Sequence, residues 1–290
     1  MEFDLSQVRV PPEERIDLKL TPTRIDPLYA DENEYKALLK ANVKRMSELQ
    51  ERFYAASRHA LLIVFQAMDT AGKDGCIEHV LSGLNPQGCI VHSFRHPSAT
   101  EIEHDFLWRT TQALPEQGMI GVFNRSYYEE VLVVRVHPEI LEKQKIPPAL
   151  VGKDVFEDRY RDIRAFERYL SGNGILVRKF FLHVSRKEQK RRFLERLEDP
   201  AKNWKFSGND LGERGYWKDY MKAYEEMIRN TATPDSPWYV VPADNKWYTR
   251  VVVAGAVVDA LASLDLEYPK VGKSQLAELG KAREALRAEK

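Results

Sequence analysis

The stretch from Leu61 to Gly75, LLIVFQAMDTAGKDG, carries a continuous apolar run into a loop that closes on Ala71-Gly72-Lys73-Asp74-Gly75. The run fits a strand buried on both faces, and the Gly-Lys after it predicts a turn into a helix. The loop follows the phosphate-binding pattern G-x-x-x-x-G-K-[S/T]. In that pattern backbone N–H groups wrap phosphate oxygens, the Lys reaches the terminal phosphates and the hydroxyl sits on Mg²⁺. Here Ala67 replaces the first Gly and Asp74 replaces the hydroxyl. Gly72 and Lys73 remain, so oriented N–H groups, a helix N-terminus and a point positive charge converge on one anion site. Ala71, Gly72, Lys73, Asp74 and Gly75 are the candidate phosphate contacts. Asp69 and Asp74 would repel a phosphate unless a hard cation lay between them, which makes them candidate Mg²⁺ ligands, with substitution by Mn²⁺ left open.

Working outward, strand-like runs alternate with helical ones. The expected strands are Ala60–Gln66, Cys89–Phe94, Met119–Phe123, Ile175–Val184 and Trp238–Val241. This alternation predicts an α/β fold with a parallel sheet covered by helices on both faces, and ligands at the carboxyl ends of its strands. Tyr35, Leu38, Leu39, Met46, Leu49 and Phe53 recur at helical spacing ahead of the first strand. Residues 1–30, with Pro11, Pro12, Pro22 and Pro27, read as an extended surface arm. The body spans 31–268. Residues 269–290 read as a charged terminal helix whose Leu276, Leu279 and Leu286 make a thin stripe, either solvated or an oligomer contact.

The 290 residues suffice for one large core, and 44 Lys plus Arg against 44 Asp plus Glu leave no global field favouring nucleic acid or a membrane. Cys76 and Cys89 form neither a disulfide framework nor a metal pair, so a reducing cytoplasmic setting is expected. The best membrane candidate, Val251 to Leu264, is interrupted by Asp259 and reads as a buried helix. The seven histidines show no zinc spacing and no Ser-His-Asp order.

Two further regions carry chemistry. After the third strand comes FNRSYYEE (123–130), where Asn124 can orient a metal-bound water and Glu129 supplies charge near the metal or acceptor. Arg125 and Arg135 are candidates for bidentate phosphate contacts. After the second strand, Phe94 or Pro97 could form an apolar wall for a base and Arg109 could reach its phosphate, while Phe106 and Trp108 read as core. The most basic region, 178–205, holds ten cations against four acids. Arg178, Lys179, Arg192, Arg196, Lys202 and Lys205 flank a loop with Pro200, Gly208 and Gly212 that could close as a lid, a spacing suited to an extended polyanion.

Seven segments in order resemble the polyphosphate kinase 2 family, and most closely its class III members, which phosphorylate AMP and ADP. They are AMDTAGKDG (67–75), GLNPQG (83–88), HDFLWR (104–109), FNRSYYEEVLVVRV (123–136), FFLHVS (180–185), NWKF (203–206) and PWYVVPADNKWY (237–248). The resemblance spans roughly residues 35–265 and implies a thymidylate-kinase-like P-loop kinase fold. A parallel five-stranded sheet would be sandwiched by helices, with a helical lid at about 199–214. It implies Mg²⁺-assisted, reversible transfer from inorganic polyphosphate to AMP and ADP, giving ADP and ATP, in a homo-oligomeric dimer or tetramer. Asp69, Lys73, Asn124, Arg125 and Glu129 would be catalytic. Polyphosphate would meet the loop, Arg135, Lys179, Arg192, Arg196, Lys202 and Lys205, and the nucleotide Asp69, Phe94, Pro97, Arg109, Asn124, Arg125 and Glu129. Class I members resemble FDRSWYNR here, so Glu129 implies acceptance of both nucleotides. An ATP-dependent nucleotide kinase and a non-catalytic polyanion binder stay open beside this reading.

Overall fold

All five expected strands form in the computed structural model, which describes residues 4–12, 15–25 and 31–289 except for the side chain of Lys205. They are β1 (Ala60–Gln66), β2 (Cys89–Ser93), β3 (Ile120–Asn124), β4 (Ile175–His183) and β5 (Trp238–Pro242). They join one parallel sheet in the order β2-β3-β1-β4-β5, with Ile63 opposite Val122 on one side and Arg178 on the other. Every residue of the central β1 is buried, as a strand covered on both faces requires, whereas the edge strand β2 leaves Ile90 and Val91 exposed.

The helices follow in chain order. The first is α1 (Glu32–Ala56), started by the Asp31 carboxylate, which accepts from the N–H groups of Asn33 and Glu34. Next come α2 (Lys73–Leu81) and the short α3 (Ala99–Ile102), α4 (Trp108–Thr111), α5 (Val133–Val136) and α6 (Pro138–Glu142). The long helices α7 (Val155–Gly172) and α8 (Arg186–Glu198) flank β4 in sequence. They are followed by α9 (Gly208–Gly215), α10 (Trp217–Thr231), α11 (Lys246–Ala262) and α12 (Lys273–Ala288). Helices α1, α2 and α11 pack together as one layer, and α5, α7 and α10 as the other. The Val251–Leu264 run lies within and just beyond α11, whose Val251 to Val257 are buried save Gly255. Among the described residues no helix is long and apolar enough to cross a membrane.

The direction of the crossovers reverses on either side of β1, so its carboxyl end, with those of β3 and β4, opens the crevice where such sheets bind ligands. The arm does more than lie on the surface. Its Val10 N–H donates to Trp238 O at 2.9 Å and Val8 O accepts from Val240 at 2.8 Å, extending the β5 edge, and Val8, Val10 and Leu18 are buried. Residues 1–3, 13–14 and 26–30, Pro27 among them, lie outside the described residues. On α12, Leu276, Leu279 and Leu286 are exposed and no residue is buried.

Candidate functional site

At the end of β1 the chain passes through Thr70, with φ 61°, and Gly72, with φ 106°, before α2 begins at Lys73. Gly72 is required because a left-handed residue with a Cβ is strained. No side chain caps α2, so its N-terminus faces the crevice without an internal acceptor of that kind. Lys73 Nζ donates to Ala67 O at 2.7 Å and spans the loop. Burial pushes the Lys73 pKa down to about 8; Arg125 lowers it further, while Asp69, Glu129 and Asp74 oppose the shift. Those five charged groups therefore share one neighbourhood.

Arg125 holds them in register. It also adopts a left-handed backbone, φ 64°, just past β3, where its N–H donates to Phe65 O at 3.1 Å. Its Nη2 meets Asp69 Oδ1 at 3.1 Å and its Nη1 stands 3.8 Å from Glu129 Oε2. Glu129 and then Asp69 raise its pKa against burial. Asn124 Nδ2 donates to Asp74 Oδ1 at 2.8 Å, tying β3 to the loop. Oriented to satisfy both of its ends, the Gln66 amide donates to Glu129 Oε1 at 2.9 Å and accepts from the Ser126 N–H. Strained non-glycine backbone at Thr70 and Arg125 marks positions that the surrounding contacts over-determine, as at switch and ligand sites.

Two oxygen donors, Asp69 and Asp74, stand at the loop. Among the described residues no group of three or more His, Cys, Asp or Glu side chains could hold an ion by itself. Such a pair fits Mg²⁺, which keeps waters and takes ligands from substrate phosphates rather than from an all-protein cage.

The acceptor side follows β2. Phe94 N–H donates to Asn124 O at 3.1 Å, and its ring meets Phe123 edge-on at 4.9 Å. The Arg109 guanidinium lies 5.4 Å over that ring and donates to Arg95 O at 2.7 Å. Pro97 is exposed. Glu130, which sequence reasoning left aside, is buried and joins Gln144 at 2.7 Å and Arg159 at 3.4 Å, fixing the 138–150 segment to this turn. Burial raises its pKa, and Arg159 opposes the shift.

The basic region is reassigned in large part. Lys179 points into the core, fully buried, with Nζ 2.6 Å from Glu167 Oε2, 2.7 Å from Thr231 O and 3.0 Å from Tyr128 OH. Arg192 is also buried. Its Nη1 donates to Thr70 O and Ala71 O at 3.1 and 2.7 Å, its Nη2 to Ala243 O at 2.6 Å, and its Nε to Glu188 at 2.7 Å. A fork committed in this way splints the phosphate loop from behind and has no edge left for polyphosphate. Arg135 pairs with Glu226, donates to Tyr160 OH at 3.1 Å and lies over Phe156. It joins α5 to α7 and α10 rather than facing a ligand. Arg196 Nη1 stands 3.6 Å from Asp210 of α9, and the exposed Lys202 pairs with Asp199 at 2.5 Å. The side chain of Lys205 lies outside the described part.

The segment expected as a lid contains α9, entered through a capping box in which Ser207 and Asp210 bond reciprocally. That Ser-x-x-Asp spacing was readable in the sequence. Asp210 is raised in pKa by burial and by Asp69, and Arg214 of α9 donates to Gln189 Oε1, whose amide donates in turn to Asp69 O at 3.0 Å, tying α9 to the loop. Sequence reasoning also passed over Lys246 and Arg250. Arg250 Nη2 comes within 3.5 Å of where a side chain on Gly75 would begin, and Lys246 is lowered in pKa by partial burial and then by Arg192. Burial pushes the Cys76 and Cys89 thiols up to about 12 and about 11, away from the thiolate form.

Similarity to known proteins agrees with this geometry. The sequence model of the polyphosphate kinase 2 (PPK2) family matches residues 29–269. A Rhodopseudomonas palustris protein named ADP-polyphosphate phosphotransferase is 53% identical over 99% of both chains. A Meiothermus ruber AMP/ADP-polyphosphate phosphotransferase is 43% identical over 92% of this chain and 96% of its own. The crystal structure of polyphosphate kinase 2 from Arthrobacter aurescens TC1 shares the fold with a TM-score of 0.88, at 39% identity over 98% of each chain. A family match running from before α1 to beyond α11, on a fold shared almost end to end, makes this protein a member of the polyphosphate kinase 2 family of phosphotransferases.

Proposed function

We propose that the protein transfers a phosphoryl group reversibly from inorganic polyphosphate to AMP and ADP, giving ADP and ATP. The observation that carries this reading is Arg125, held between Asp69 and Glu129 beside Lys73, between the phosphate loop and the Phe94–Arg109 acceptor side. A phosphate acceptor already presents an anionic oxygen, so alignment and charge neutralisation replace a strong general base. Lys73 and the loop N–H groups grip the donor chain, and Arg125 offsets charge on the transferring group. Mg²⁺, held by Asp69 and Asp74, would supply charge neutralisation for the phosphates when bound. Phe94 walls the base and Arg109 meets the acceptor phosphate, with Asn124 and Glu129 orienting the acceptor end. Pro97 extends that wall.

Polyphosphate runs from Lys73 past Arg250 and Lys246 toward Arg196 of α8 and then Lys202 and Lys205 of the lid. A reducing cytoplasmic setting is part of this reading, and the exposed leucine stripe of α12 suits a homo-oligomer. A narrower reading, in which ADP is the sole acceptor, is favoured by the name of the 53% identical relative. Mg²⁺-dependent turnover of AMP with long-chain polyphosphate, against a control with ATP as sole donor, tests the proposal. ADP followed by ATP is expected; turnover of ADP alone moves the protein to the narrower reading, and activity with ATP alone overturns both.

A further inference from the structure

Strand alternation turns Arg178 away from Lys179, to the other face of β4. There it lines a cavity of about 270 Å³ with Ser171, Ile175, Leu176, Pro234 and Asp235. These residues belong to the last turn of α7, the start of β4 and the loop that precedes β5, the opposite end of the sheet from the phosphate loop.

Polar atoms at this corner are left over. Arg178 Nη1 donates to Val177 O at 2.9 Å and Asp235 O at 3.3 Å, but its Nε is buried without an acceptor among the described residues. Ser171 Oγ in the cavity wall and Ser236 Oγ beside it are buried and unpartnered too. Arg9 adds a second cation at the rim by donating to Pro234 O at 3.2 Å. Burial lowers the Arg178 pKa and Arg9 adds to the effect; Tyr239, Asp259 and Asp235 oppose it from a distance, and no carboxylate pairs with the guanidinium among the described residues. Buried donors are almost always satisfied, and a guanidinium edge matches two oxygens of one oxyanion. Ser171 can supply a third donor to a tetrahedral group.

We propose that this corner is a second, non-catalytic binding site for a phosphate-type oxyanion, gripped by the free edge of Arg178 and by Ser171. It stands independently of the catalytic reading, since it shares no residue with it. The test uses the full chain carrying Lys73→Ala, which removes the main phosphate anchor, and titrates it with orthophosphate and with tripolyphosphate by calorimetry. One saturable orthophosphate site is expected to remain. It should weaken at least about tenfold with added Arg178→Met, the scale of losing a charge-assisted bidentate contact, and less with Ser171→Ala. Equal Arg178 dependence for tripolyphosphate identifies a chain end as a source, and dependence for orthophosphate alone identifies the free ion. Absence of saturable binding in Lys73→Ala, or an isotherm unmoved by both added variants, overturns the proposal. Should Arg178→Met fail to fold, Ser171→Ala carries the test. Arg178→Met alone should keep wild-type turnover.

Discussion

Lys73 carries its charge where burial opposes it, with a pKa pushed down to about 8. The ammonium is the form that grips phosphate, and the free enzyme loses it as pH rises through that value. A bound polyanion stabilises the ammonium and raises its pKa, so binding near pH 8 takes up a proton. The kcat/KM for polyphosphate should therefore fall above about pH 8 while kcat holds to higher pH. A profile flat to roughly pH 10, where an ordinary lysine titrates, would remove Lys73 from the grip. Lys73→Ala should cost about 10²-fold or more in turnover, the size seen when a preorganised donor is removed. In the proposed function Glu129 is the residue on which the two acceptor readings differ, and Glu129→Asn should lower AMP phosphorylation by about tenfold or more, one kcal-scale contact, with ADP phosphorylation spared. Equal loss on both acceptors would count against a selective role. The loop was legible because its parts are contiguous: Gly72, Lys73 and both carboxylates fall within six residues of one another. Arg192 was not, because a charge in the sequence does not say which way its side chain turns.

Elements show the same division. The strands were readable from apolar runs with no edge misplaced by more than one residue, and those shifts arise because strand ends depend on pairing rather than on composition. Helix α9 was expected only through the family resemblance, as part of a helical lid, since its residues by themselves read as a loop with two glycines, yet its contacts define it. Glu213 of α9 accepts from His137 Nε2 at 3.0 Å and from Tyr220 OH at 2.5 Å, while His137 Nδ1 stands 3.4 Å from Glu139 of α6. With carboxylates at both nitrogens and the Tyr216 and Tyr220 rings in edge contact with it, His137 clasps α9 to α6 and α10. His137→Gln should raise the KM for polyphosphate by about two- to tenfold, the range of one hydrogen bond, and change kcat less. Glu213→Gln should do the same, and combining the two should add little, because both remove one clasp. Independent, multiplicative effects in that cycle would show that no clasp exists.

Across the whole molecule, charge balance conceals an internal ion pair that composition cannot reveal. Lysine is almost never fully buried unless paired, so an alternating reading of β4 gives no reason to place Lys179 inside. Its partner Glu167 lies on α7 and also accepts from Tyr127 OH at 2.8 Å and Tyr128 OH at 2.7 Å, two residues of the turn that carries Glu129. Thr231 O at the end of α10 takes another Lys179 proton, and Trp238 Nε1 of β5 donates to Thr231 Oγ1 at 2.9 Å. One network thus joins β4, β5, α7 and α10 beneath the acceptor turn. Lys179→Met leaves the Glu167 charge buried and unpaired, and should lower unfolding free energy in denaturant by about 3–5 kcal/mol. Lys179→Met with Glu167→Gln removes both charges yet keeps acceptors for the tyrosines, so it should recover part of that loss. If the single variant costs under about 1 kcal/mol, the level of an exposed pair, then the network does not hold the turn. If it is costly and the double variant recovers stability but not the AMP rate, the ion pair also sets the position of Glu129.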